Sequence, residues 1–144
     1  MNYAELVQVY FERSTALQWY WTIYILVIGG VLGFSTFRQR PETVTVVFVT
    51  ILYGCFAYKN LGAIEATALE REAILSALKD YPASGENAAD IKRLREVLEP
   101  TLPPYDITGA RYFHIACDLL LIALLWAKEW LRRTREAASA TTVP

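Results

Sequence analysis

Residues 14–37 run for 24 positions without a charged side chain. At ~1.5 Å of rise per residue, a helix of that length crosses a hydrocarbon core of ~30 Å. The stretch reads as a transmembrane helix, and the rest of the chain must be organised around it. Two further stretches follow. Residues 43–58 supply 16 uncharged positions, or about 24 Å of helix, which is short for a span. Lys59 can make up the deficit by laying its aliphatic stem in the acyl region while the ammonium snorkels to the interface, with residues 60–64 continuing the helix. The third stretch, 112–131, contains LLLIALLWA at 119–127 and carries His114 and Asp118 in its interior.

With 54% hydrophobic residues overall, three such runs favour spans over the buried core helices of a soluble protein. The expected fold is all-α: a polytopic membrane protein in one domain, 1–144, with transmembrane helices at 17–37, 43–60 and 112–131. Residues 1–16 read as a tail or interfacial helix, and 132–144 as a basic and then disordered tail. Trp19, Tyr20 and Trp21 suit one membrane interface, and Trp126 and Trp130 the far end of the third span. The N-terminal segment MNYAELVQVYFER offers only Arg13 against Glu5 and Glu12. It is a poor n-region for a cleavable signal, so the first span is expected to remain in the mature protein.

Three spans place the N-terminal tail and the 61–111 connection on one side, and the 38–42 loop and C-terminal tail on the other. Tight basic clusters, FRQR at 37–40 and KEWLRRTR at 128–135, mark the second side. The positive-inside rule weighs basic residues near span ends most heavily, so it favours a cytoplasmic C-terminus in a plasma or inner membrane, with 61–111 opposite.

Within that connection, residues 61–80 are rich in Ala, Leu and Glu, and they place Leu61, Ile64, Ala68, Leu75 and Leu78 near one helical face. The second span should therefore continue as one helix to residue 80. YPASGE at 81–86 should end it, and a second helix at 90–99 should present Ile91, Leu94 and Leu98 before Pro100 stops it. Pro103 and Pro104 forbid regular helix in the return. The result is an extramembrane helical hairpin whose apolar stripe needs a partner, either within the hairpin or on another subunit.

Small residues form two rows: Thr22, Gly29, Gly33 and Thr36 in the first span, and Thr43, Thr50, Gly54 and Ala57 in the second. Such rows admit close helix approach, within one chain or between copies. In the third span His114 and Asp118, four apart, share a face with Cys117 on the next ridge. Cys55 lies four residues inside Lys59 and Cys117 six inside Arg111, at similar depth. His114, Cys117, Asp118 and Cys55 could thus converge as a metal or redox site, or the two thiols as a disulfide. The competing expectation is that the cysteines fill space and His114 bonds a tyrosine, a carbonyl or Asp118. An intramembrane carboxylate costs roughly 2.5 to 3.5 kcal/mol on insertion scales, so Asp118 needs compensation, and Arg111 and Lys59 are the cations at suitable depth.

No catalytic signature, nucleotide loop or zinc spacing accompanies the spans. The leading expectation is a non-catalytic accessory or scaffold protein, with no cofactor, packed against lipid and joined to other membrane subunits or to itself. A small channel or membrane-perturbing effector is the second reading. A metal- or thiol-dependent redox protein, with metal or haem as its cofactor, is the third. The net charge of −1, with basic residues at span ends, argues against nucleic acid.

Overall fold

The computed structural model describes residues 2–83 and 88–141. The elements are α1 (Tyr3–Phe37), α2 (Thr43–Lys79), α3 (Ala88–Leu98), a 3-10 turn (Glu99–Thr101) and α4 (Ile107–Thr141), with no strand among the described residues. Three of these helices, α1, α2 and α4, are long and apolar enough to cross a membrane.

Local chemistry sets the helix ends. Asn2 caps α1: its Oδ1 accepts from the Glu5 amide at 2.9 Å, while the Glu5 carboxylate accepts from the Asn2 amide at 2.9 Å. This reciprocal pair satisfies two amides that the first turn leaves without helical partners. Pro41 disfavours helical geometry at Arg40, so α1 ends at Phe37 and α2 restarts at Thr43. Near the other end of α2, Arg95 donates to the carbonyls of Leu78, at 3.2 Å, and Tyr81. Residues 84–87, where the sequence suggests the rest of a turn, lie outside the described residues. Pro100 sits in the 3-10 turn, and Pro103 and Pro104 keep the return irregular until α4 begins at Ile107.

The chain divides into two compact units, one of Met1–Trp21 and Ala63–Thr108, the other of Thr22–Gly62 and Gly109–Pro144. In the first, Tyr3, Leu6 and Tyr10 of α1 meet Leu75 and Leu78 of α2 together with Leu102, and Ile91 and Leu98 of α3 pack against them. A second cluster joins Leu17 to Ile64 and Ala68, with Trp21 and Tyr105 alongside. The indole of Trp21 donates to the Tyr105 hydroxyl at 2.9 Å. Arg71 bonds both the Tyr10 hydroxyl and the Pro103 carbonyl, the latter at 2.9 Å, and so ties the proline return to α1. In the second unit Tyr53, Ala57 and Leu121 form the core, lined by Val27, Ile28, Val31 and Leu32. The outer faces of the same helices carry large exposed apolar side chains, including Ile25, Leu26, Phe48, Leu52, Leu119 and Leu120.

Two sequence expectations change. The apolar stripe of residues 61–80 finds its partner mainly in the N-terminal segment, because Tyr3, Leu6, Tyr10 and Leu17 recur at helical spacing and bury against it. Residues 3–16 are thus helix with one face in the core. The small-residue tail is helical as far as Thr141, since alanine is the best helix former and no glycine or proline intervenes before that point.

Candidate functional site

The second unit contains a buried polar cluster built by three helices. On α4, His114 and Asp118 lie one turn apart and face inward; His114 is fully buried. On α2, Tyr53 and Asn60 are seven residues apart, two turns along one face, with Ala57 between them; all three are buried. α1 contributes Tyr24, whose side chain is also buried.

Asp118 organises the cluster. Its Oδ1 accepts from the Tyr53 hydroxyl at 2.5 Å and from the Tyr24 hydroxyl at 2.9 Å, and its Oδ2 lies 2.8 Å from His114 Nδ1. The Tyr24 hydroxyl also lies 3.1 Å from the His114 carbonyl, so its single proton is shared between two acceptors. The Tyr24 ring stacks on the imidazole with centroids 3.9 Å apart. On the far side of the imidazole, Nε2 lies 3.3 Å from Asn60 Nδ2. In that orientation Asn60 donates to Nε2, and Nδ1–H donates to the carboxylate. A half-turn of the Asn60 amide would present its oxygen to an Nε2–H instead, so Asn60 can serve either tautomer and the imidazolium. These contacts give Asp118 three donors, two phenolic and one imidazole, in surroundings where water is scarce.

A second buried carboxylate, Glu129, lies farther along α4 and is only 2% exposed. Arg38 pairs with it, and Thr43 donates to it at 3.2 Å. Arg133 and Arg132 approach at 3.7 and 3.9 Å. Arg132 also donates to the Ser35 carbonyl, and Lys128 donates to Thr36 at 2.8 Å.

The structure brings together only part of the set suggested by the sequence. His114 and Asp118 are in contact, whereas Cys55 is exposed and Cys117 half-buried, both as free thiols. Among the described residues no group of three or more His, Cys, Asp and Glu side chains has an arrangement able to hold a metal ion. Asp118 takes its partners from Tyr24, Tyr53 and His114, while Arg111 and Lys59, the cations considered for it, are exposed. Of the small-residue rows, Ala57 is buried, but a Cβ added at Gly29, Gly33 or Gly54 would meet nothing within 4 Å. Thr36 and Thr50 each donate to a carbonyl of their own helix at 2.8 Å, and Thr22 is exposed. The helices of this unit meet through Tyr53, Ala57 and Leu121 instead of a glycine seam.

Tyr24, Tyr53 and Asn60 were missed by sequence reasoning. The available signal was the seven-residue spacing of Tyr53 and Asn60, which puts two polar groups on one face of an apolar span. No family model, curated protein or solved structure matches the chain.

Proposed function

We propose that this protein is a non-catalytic, membrane-embedded subunit that joins a larger membrane assembly or copies of itself. The carrying observation is that the polar cluster links three helices of the second unit: Asp118 engages Tyr24, Tyr53 and His114, and His114 engages Asn60. Such a cluster joins α1, α2 and α4 as a latch, a role suited to holding helices in register. Two features support association beyond the chain: open faces at Gly29, Gly33 and Gly54, and exposed apolar side chains along the three long helices. In this reading residues 61–111, where charges are dense, lie outside the hydrocarbon, and the basic ends at 38–40 and 128–135 face the cytoplasm.

Native mass spectrometry from a mild detergent tests the assembly. The expected species is larger than one chain, as a homo-oligomer or with a second subunit. A stable single chain with a measurable transport or redox activity would overturn the proposal. Orientation is tested separately with an impermeant thiol reagent on intact cells, using Ala89→Cys and Ser139→Cys in a background lacking Cys55 and Cys117. Labelling is expected at position 89 and protection at 139; the reverse pattern would invert the topology.

A further inference from the structure

Beyond the latch, the second unit carries a pocket of about 620 Å³ at the ends of its helices, lined by residues of 36–41 and 128–139. Its lining includes five cations, Arg38, Arg40, Lys128, Arg132 and Arg135, against one acid, Glu136. Part of this charge is already used, because Arg38 pairs with Glu129, Arg132 binds the Ser35 carbonyl and Lys128 binds Thr36. Arg40 and Arg135 are exposed. The net positive balance of the lining selects an anionic ligand, and guanidinium groups suit phosphate oxygens geometrically.

The neighbouring side chains distinguish a lipid from a free anion. Leu131 belongs to the lining, and Phe37 and Trp130, which adjoin lining residues in the chain, are 86% and 65% exposed. Exposed apolar side chains at the end of helices long enough to cross a membrane suit acyl chains below a charged headgroup.

We propose that this pocket binds the phosphate of an anionic phospholipid, with Arg40 and Arg135 engaging the headgroup and Leu131 meeting the adjoining chain. The inference rests on the membrane-spanning reading and is independent of the assembly role. It is tested by native mass spectrometry of the full chain in mild detergent, titrated with phosphatidylglycerol, phosphatidylcholine or inorganic phosphate. Phosphatidylglycerol is expected to give a saturable adduct. The double variant Arg40→Gln/Arg135→Gln should bind it roughly thirtyfold more weakly, equivalent to about 1 kcal/mol for each basic residue near an anionic lipid surface. Arg133→Gln removes a charge from the same helix end outside this lining and should weaken binding clearly less than the double variant does; an equal loss would show general charge attraction in place of the pocket and overturn the proposal. Helicity and detergent stability of the double variant are measured alongside; both residues are exposed, so native values are expected. Equal binding of phosphatidylcholine, displacement of the lipid by equimolar phosphate, or wild-type affinity in the double variant would each overturn the proposal.

Discussion

Asp118 and Glu129 are two inward carboxylates on one helix, eleven residues apart, which is three turns and places them on nearly the same face. Their surroundings differ in kind. Asp118 is met by two phenols and an imidazole, Glu129 by a guanidinium, a threonine hydroxyl and two further arginines. The difference follows depth in the sequence pattern. Asp118 lies among uncharged stretches, where a cation would itself have to be desolvated, while Glu129 lies where α1 ends, α2 begins and the basic clusters collect. One acid is therefore held by phenol and imidazole groups and the other chiefly by guanidinium groups. Loss of each should leave a different residue of unpaired chemistry.

The largest effect is expected at Glu129. Glu129→Leu leaves Arg38 as an unpaired charge that is only 11% exposed, and breaking such a pair from one side costs about 3–5 kcal/mol. Thermal or denaturant stability in detergent should fall accordingly. Arg38→Met added to Glu129→Leu removes the orphaned charge and should recover most of the loss. A single variant costing less than about 1 kcal/mol would show that Arg38 reaches water, and the contrast between the two acids would collapse.

Asp118→Leu should cost less, because it leaves two phenols and an imidazole behind and no guanidinium. Side-chain hydrogen bonds within membrane proteins average ~0.6 kcal/mol, so three of them amount to about 2 kcal/mol. The readout is the same stability measurement. A loss equal to that of Glu129→Leu would mean that the cluster holds a stranded charge after all.

How much of this was legible beforehand depended on the range of the interaction. The three long helices and the continuation of α2 to Lys79 follow from uncharged run lengths and from Ala- and Leu-rich composition, both local properties. The face holding Ile64, Ala68, Leu75 and Leu78 was visible as a period, but its covering residues were not, since Tyr3 and Leu78 are joined only by tertiary packing. The His114 and Asp118 pair was readable because both lie on one helix. Tyr24 and Asn60 were not, because spacing within one helix says nothing about which face of another meets it. The small-residue rows misled about packing within the chain for the same reason: periodicity identifies a face without identifying its occupant.

A finer test concerns the proton pattern around His114. Asp118→Asn keeps an acceptor for Tyr53 and Tyr24 but turns an N–H group toward Nδ1, which must then accept while Nε2 donates. Asn60 can answer with its carbonyl oxygen after a half-turn, so the variant should lose under about 1 kcal/mol and still assemble. In an Asn60→Leu background that answer is gone, and the cost of Asp118→Asn should exceed its cost in the wild type by about 1 kcal/mol. Strict additivity would show that Asn60 does not set the imidazole's hydrogen-bonding pattern. A variant that assembles normally yet abolishes a measurable activity would move the cluster from latch to chemistry.

The smallest effect on the single chain is expected at Gly33, and it sharpens the contrast from outside the cluster. A Cβ there meets nothing within 4 Å, and leucine is a better helix former than glycine by up to about 1 kcal/mol. Gly33→Leu should therefore leave monomer stability unchanged or slightly raised, unlike substitutions at Asp118 or Glu129. Its consequence should appear in association. If another helix, from a second copy or a partner subunit, packs on the Gly29 and Gly33 face, the added side chain blocks close approach and the native mass distribution shifts toward the single chain. Leu32→Ile preserves side-chain volume and leaves that glycine face intact, so it should preserve the distribution. If Gly33→Leu destabilises the isolated chain, the glycine face is packed within it and not open; if it changes neither stability nor mass, that face meets lipid and assembly must use another surface.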